Sequence, residues 1–313
     1  MDTALRRATA LLAVLIGLLV AANARAKPPA TLKGNFSLLT YNVAGLPEGL
    51  SSSTPSVNMP LISKLLNRYD LALVQEDFAY GRELRSAIAH QYTTPAFLRV
   101  DRTTLGDGLS QFSKSPFMGL LRETWRDCNG IFGAFFDCLA PKGFTFARHV
   151  LGRGTTVDVY NVHLDAGYSD ADAQARRSQL AQLWEAIERL SRGRAVIVAG
   201  DTNLEASEAS VFGAFLNKAK LVDVCQKLGC AEPWRIDRVM FRSAAAVRLS
   251  ARSWRTDKSF TDQAGKPLSD HVPVIVDFDW SSTPVLNQAA IEVARRRVAT
   301  LRSAQIDTPG TRR

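Results

Sequence analysis

At 313 residues the chain has room for one large domain or two small ones. Its 46% apolar composition is ordinary for a globular protein and excludes a chain too polar to bury a core. A formal charge of +9 favours anionic partners such as nucleic acid or acidic lipid, although surface charge serves solubility as well.

The N-terminus has the layout of an export signal over residues 1–26. Arg6 and Arg7 precede an apolar run from Leu11 to Val20, and Ala24-Arg25-Ala26 fits a small-x-small cleavage site. The run is short for a membrane span, and an uncleaved anchor is the alternative. Cleavage after Ala26 removes Asp2, Arg6, Arg7 and Arg25 and leaves about +7 on the mature chain. A secreted or periplasmic protein is therefore expected. The cysteines fall in two close pairs, Cys128 with Cys138 and Cys225 with Cys230. In an exported chain, sequence proximity favours these local disulfides. A zinc site is the rival. It lacks Cys-x-x-Cys spacing, and no histidine lies near either pair.

From Lys27 to Lys33 a Pro-containing lead-in reaches the first strand, which ends Leu38-Leu39-Thr40-Tyr41-Asn42. Ala44 to Pro60 holds Gly, Ser and prolines, so a loop is expected there. Leu61, Leu65 and Leu66 have helical spacing. The strand Leu71 to Val74 then runs into Gln75 and Glu76, and Tyr80 to His90 suggests a short helix. Leu109 to Phe112 is a short strand. Ile131, Phe132, Phe135 and Phe136 crowd the stretch between Cys128 and Cys138, either folded on the core or forming an apolar tip for a membrane interface. Phe144 to Val150 and Thr156 to His163 pair around Gly152-Arg153-Gly154. Asp170 to Arg192 is a long helix, with Leu180, Leu183, Trp184, Ile187 and Leu190 on one stripe.

Ala195 to Ala199 is an apolar, β-branched run of the kind buried on both faces of a sheet. It ends in Gly200, Asp201, Thr202 and Asn203. On an extended chain Asp201 and Asn203 point to the same side; an Asx turn closing the strand is the plainer reading. A helix follows over Glu208 to Lys218. Strands are expected over Arg235 to Phe241, Ala246 to Trp254 and Val272 to Trp280. The stretches 97–125 and 144–163 lack intervening helices, so a mixed sheet or two packed sheets fits better than a strictly alternating barrel. After a linker from Ser281 to Pro284, residues 287–305 form a basic amphipathic helix, and the segment 281–313 is a tail that packs on the domain or lies on an anionic surface.

The polar ends of these strands carry the functional signal. Asn42, Glu76, His163, Asp201 and Asn203 each close an apolar run, and Asp270 and His271 open the last one. Turn chemistry alone has no need of Glu or His. One shared site at a sheet edge is the expectation.

Six motifs stand in order: Leu-Leu-Thr-Tyr-Asn, Val-Gln-Glu, Tyr-Asn-Val-His-Leu, Gly-Asp-Thr-Asn, Arg-Ile-Asp-Arg-Val and Ser-Asp-His-Val-Pro-Val. Together they resemble the endonuclease/exonuclease/phosphatase superfamily, the deoxyribonuclease I-like fold, over a catalytic domain at 27–280. The resemblance implies an α/β fold: a four-layer α/β/β/α sandwich of two packed mixed sheets flanked by helices. It implies a metal-dependent phosphodiesterase with Glu76 as main Mg²⁺ ligand, assisted by Asn42, and Asp270 as a further ligand; Mn²⁺ or another divalent cation could substitute. His271 takes the place of the general base and Asp237 orients its ring. Asp201 positions the attacking water, and Asn203 and His163 bond the phosphoryl oxygens. Thr202, and Asp77-Phe78 after Glu76, depart from the family pattern and leave the substrate open.

His163-Leu164-Asp165-Ala166-Gly167, followed by an Arg- and Gln-containing helix, is similar to the sphingomyelinase-like branch. A phospholipid phosphodiester at a membrane surface is therefore the expected substrate, with a monomeric enzyme. Nucleic acid is the alternative partner, since the basic charge suits a nuclease equally. A non-catalytic binding module would be expected to lose Glu76, His163, Asp201 or His271, and all four are present.

Overall fold

Side chains alternate faces along each strand, and this period of two sets the layering. In β1 (Leu32–Asn42), Phe36 and Leu38 enter one apolar cluster while Leu39 and Tyr41 enter another. In β2 (Leu71–Gln75), Leu71 and Leu73 point inward and Ala72 and Val74 outward. β7 (Thr155–His163), β8 (Val196–Asp201) and β10 (Asp237–Arg242) repeat the pattern: Val157, Val159, Ile197, Ala199, Val239 and Phe241 share the inner cluster with β1 and β2. Strands with apolar groups on both faces need cover on both.

The computed structural model describes residues 31–96, 105–130, 138 and 140–282. The export segment, the apolar stretch from Ile131 to Phe136 and the basic tail from residue 283 onward lie outside the described residues.

The remaining strands are β3 (Tyr92–Thr93), β4 (Ser110–Ser113), β5 (Phe117–Thr124), β6 (Gly143–Gly152), β9 (Val222–Asp223), β11 (Val247–Thr256) and β12 (Val274–Ser282). One six-stranded sheet has the order β11-β12-β1-β2-β4-β3 and the other β5-β6-β7-β8-β10-β9. Both are mixed. β1 runs parallel to β2 and antiparallel to β12, and β7 runs parallel to β8, which is antiparallel to β10. The inner cluster joins the sheets face to face. On one outer face lie α1 (Pro55–Leu66) and α2 (Gly81–Leu84), packed through Met59, Ile62, Leu66 and Leu84. On the other lie α3 (Asp170–Leu190) and α4 (Ala209–Ala219), packed through Leu183, Ile187, Phe212 and Phe215. The short α5 (Val224–Leu228) follows β9. The α/β/β/α sandwich is thus present, and Cys128–Cys138 and Cys225–Cys230 are both disulfides.

Two helices differ from expectation, and β3, β5, β9 and α5 fall outside the expected elements. α1 starts at Pro55, inside the stretch expected to be loop. Proline is well placed at a first helical position, where its missing N–H has no partner to lose. The helix expected over Tyr80 to His90 stops at Leu84. There the backbone donors turn to α1 instead: Ala87 N–H donates to Ser63 Oγ at 2.9 Å and Ala89 N–H to Asn67 Oδ1 at 2.8 Å.

Gly200 fixes the fit of β8 against β7. Its φ is +149°, and a Cβ there would stand 1.9 Å from the Val162 carbonyl oxygen. Gly200→Ala should therefore destabilise the fold by about 2–3 kcal/mol through overpacking and backbone strain. Urea unfolding checks this; a variant as stable as wild type would show that the two strands can part without cost.

Candidate active site

Six strand ends meet at one end of the sandwich. The C-terminal ends of β1, β2, β7 and β8 carry Asn42, Glu76, His163 and Asp201. β10 and β12 run the other way, so their N-terminal ends bring Asp237, and Asp270 with His271 just ahead of β12. Register makes the meeting tight: Asp201 is paired with His163 on one side and Asp237 on the other.

Local backbone geometry aims the side chains. Ala44, Glu76 and Asn203 have φ of 50°, 60° and 49°. Each left-handed non-glycine residue costs about 1–2 kcal/mol, and such strain clusters at functional sites. Asn203 is accordingly not extended. An Asx turn brings it beside Asp201, with Asn203 N–H donating to Asp201 Oδ1 at 3.0 Å. The turn reading and the site reading of Gly-Asp-Thr-Asn describe the same atoms. Asn203 Nδ2 donates to the Leu164 carbonyl at 3.0 Å.

Asp201 is the centre. Asn42 Nδ2 donates to Asp201 Oδ2 at 3.0 Å and to Glu76 Oε1 at 2.9 Å. The Asn42 Oδ1 accepts from Ala44 N–H at 3.0 Å, so this amide shows the carboxylates its donors and would have to rotate to offer a cation its oxygen. The Nε2 atoms of His163 and His271 lie 3.6 Å and 3.7 Å from Asp201 Oδ2, too far for direct hydrogen bonds. His271 Nδ1 stands 2.9 Å and 3.1 Å from the two Asp237 oxygens. Arg235 Nη2 approaches the same carboxylate at 3.4 Å. Ser52 Oγ donates to Asp270 Oδ2 at 2.7 Å.

Of these groups Ser52, Glu76, His163, Asp201, Asn203, Asp270 and His271 line a cavity of about 710 Å³, together with Lys142 and Glu205. Sequence reasoning missed Lys142. A lone lysine ahead of a strand has no spacing signal, yet it is buried here beside three site residues. Burial pushes the Glu76 carboxyl up, against the pull of Lys142 and the Asn42 amide. Burial also raises Asp201, with His271 opposing. Burial, Lys142 and His271 hold His163 well below the ordinary imidazole value, so its ring is neutral, and its Nδ1 is buried without a hydrogen-bond partner. For His271 burial opposes the charge, but Asp237, Asp201 and Asp270 outweigh it and push the ring up to about 10.

The loop after β7 is clamped from several sides. Trp125 Nε1 donates to the His163 carbonyl at 2.6 Å. Gln179 Nε2 donates to Asp165 Oδ1 at 2.7 Å, and Arg176 Nη1 to the Asp165 and Gly167 carbonyls at 3.0 Å and 2.9 Å. Arg176, an arginine of the Arg- and Gln-containing helix that follows, is buried and paired with Glu208 at 2.9 Å.

The profile of the Endonuclease/Exonuclease/phosphatase family matches residues 39–271, and the chain belongs to that family. It is 33% identical over 287 residues to a sphingomyelinase of Mycobacterium tuberculosis, covering 81% of this chain and 54% of that protein. The chain thus spans about half the length of the curated relatives it matches first. Its fold is shared with a beta toxin mutant from Staphylococcus aureus with bound magnesium ions: TM-score 0.59, 17% identity, 78% of this chain and 99% of that one. It is shared equally with D. rerio TDP2 complexed with single strand DNA product: TM-score 0.61, 21% identity, 78% of this chain and 99% of that one.

The His271 charge has a consequence for stability. A folded value near 10 lies above the ordinary 6.5, so the ion pair with Asp237 stabilises fully below about pH 6.5. That contribution is lost as pH rises through the folded value. In chelator, the melting temperature of wild type should therefore fall more steeply between these limits than that of His271→Gln. Parallel curves would mean that the pairing adds no stability.

Proposed function

We propose that the protein is an exported, divalent-metal-dependent phosphodiesterase acting on a phospholipid, of the sphingomyelinase kind. The observation that carries this is the make-up of the pocket. Its lining includes the carboxylates Glu76, Asp201, Glu205 and Asp270, and Lys142 is the one Lys or Arg among its described residues. Its mouth is apolar: Leu50 and Tyr168 line it and are 67% and 80% exposed, and Trp234, near the lining residue Ile236, is 48% exposed. Exposed apolar groups around a polar pocket suit a lipid interface. A nuclease would be expected to track the nucleic-acid backbone with a basic groove, and one lysine does not make one. The relatives at 33% identity are named sphingomyelinases. The local disulfides agree with export through the segment 1–26.

A hard cation fits the donor set. The part-buried Glu76 and the buried Asp201 share one amide, and a phosphodiester would meet net negative charge without a counterion. Glu76 and Asp270, with a rotated Asn42, would hold Mg²⁺ or Mn²⁺. When bound, the ion would polarise a phosphoryl oxygen and offset the carboxylates. Asp201, Asp237 and His271 also place ligand atoms within 4.8 Å of one another. Both Asp237 oxygens already face His271 Nδ1, so this trio reads better as a proton relay. Asp201 Oδ2 positions a water, and His271 Nε2 takes its proton as the oxygen attacks phosphorus in line with the leaving alkoxide. Asp237 fixes the ring and stabilises the imidazolium. Neutral His163, the Asn203 amide and the Lys142 ammonium steady the charge that builds on the phosphoryl oxygens.

Assays on sphingomyelin, lysophospholipid and plasmid DNA, with and without Mg²⁺, test the reading directly. Lipid hydrolysis that needs the metal is expected; cleavage of DNA alone would overturn the lipid assignment, and inertness towards all three would favour a binding module. Glu76→Gln should lose at least about a hundredfold in metal-dependent rate while keeping the fold. His271→Ala should lose on the order of 10²–10⁴, and Asp237→Asn less.

The pH dependence gives a further check. A ring near 10 is an acid at neutral pH, and positive charge arriving beside Asp201 disfavours its protonated form. The acid limb of the rate profile should therefore move to lower pH as Mg²⁺ rises. A limb fixed at all metal concentrations would separate His271 from the metal site.

A further inference from the structure

At the end of the sandwich away from this pocket, the two sheets open into a second cleft of about 900 Å³. It lies where β1 begins and where β10 and β12 end, whereas the candidate active site lies where β1 ends and the other two begin. Nine residue steps along β1, from Lys33 to Asn42, put about 30 Å between them. Phe241, Leu249 and Trp280 form an apolar part of the lining.

Its charge is one-sided. Lys33, Lys220, Lys227, Arg242 and Arg248 line it against a single carboxylate, Asp279, which Arg252 Nε already meets at 3.1 Å. Arg242 is fixed by the Ala219 and Ser191 carbonyls at 2.7 Å and 2.8 Å, with Glu188 at 3.9 Å. The other four form no ion pair among the described residues. Like charges gathered along one concave surface repel one another and together attract an anion. The sequence after Ser282 is itself net basic, with six arginines against Glu292 and Asp307.

Lys220 adds an independent sign. It closes α4 at φ 57°, the left-handed position where glycine is the unstrained choice. The three other left-handed non-glycine residues described here, Ala44, Glu76 and Asn203, all surround the candidate active site. A lysine held at that cost faces this cleft.

We infer that the cleft is a binding site for an anion carrying two or more phosphate groups, separate from the hydrolytic pocket. Its lining holds one carboxylate, already paired with Arg252, and no free base to activate a water, so binding without hydrolysis is the expectation. Its size exceeds what a single phosphate fills, and its five cations suit several charges. A free oligophosphate and the headgroup of a diphosphate lipid share this chemistry.

Calorimetry with inorganic tripolyphosphate in chelator, and co-sedimentation with cardiolipin vesicles, tell the two sources apart. Wild type should bind at least one of them. Lys220→Gly combined with Arg248→Ser should weaken that binding by about tenfold or more, a loss of about 1.4 kcal/mol, and leave lipid hydrolysis unchanged. Glycine at φ 57° relieves strain, so the melting temperature should hold or rise. Lys266→Ser, which removes a lysine outside the cleft lining, should leave binding within about twofold. Absence of binding to both probes would overturn the site. So would a double variant that binds as wild type does, or a Lys266→Ser loss of equal size.

Discussion

A carboxylate buried where water does not reach must be surrounded by donors, or it will not stay charged. Asp201, with a side chain 2% exposed, is that group here. One oxygen is held by the Asn203 amide N–H and the other by Asn42, with two imidazoles standing off it. Those partners come from both sheets, so the packing of one sheet on the other is what completes the shell. A polar staple near the same end assists: Gln75 of the first sheet donates to Asn161 of the second at 2.6 Å, and Asn161 donates back to the Val74 carbonyl at 2.9 Å. Separating the sheets would strip Asp201 of Asn42 and His271 together, which makes fold and site one cooperative unit.

Strand identity was legible because β-branched and apolar runs with polar ends are a strong local signal. Seven of the eight candidate residues were legible for the same reason, since each sits at a strand end or a few residues from one; Asp237, expected inside its strand, entered only through the family resemblance and stands at the start of β10. Helix ends were less so. Tyr80 to His90 has helix-compatible composition, but its donors are claimed by Ser63 and Asn67 on another element. No local pattern reports such a tertiary competitor. Lys142 was invisible because its meaning lies entirely in what packs around it. Asp201 and Asn203 show a subtler limit. The argument from extended spacing paired two residues that the structure does bring together, but their meeting comes from an Asx turn at a left-handed residue.

Net charge gave an incomplete hint. A basic chain suggested an anionic partner near the chemistry. The pocket instead concentrates carboxylates, while three lysines and Arg248, without ion pairs among the described residues, gather about 30 Å away. This separation is physically reasonable. Carboxylates suit a hard cation and would repel a polyanion, whereas an uncovered basic cleft beside the site would compete with that cation for the phosphodiester. The formal charge of a chain therefore says little about the charge its active site sees.

The loop after β7 shows how a distant staple can matter to chemistry. Asn129, next to the disulfide Cys128–Cys138, donates its N–H to Asp165 Oδ2 at 2.6 Å, and its amide donates to Asp172 Oδ1 at 2.6 Å. Asp172 in turn closes the capping box of α3 with Ser169, and α3 supplies Gln179 and Arg176 to the same loop. His163 stands two residues from Asp165, with its own carbonyl held by Trp125. Its ring is neutral and makes no hydrogen bond among the described residues that would hold its angle, so the backbone holds it. The disulfide, the helix cap and the buried Arg176 thus converge on one imidazole. The Arg- and Gln-bearing helix noted beside the His163 motif is then the part of the chain that keeps this histidine aimed.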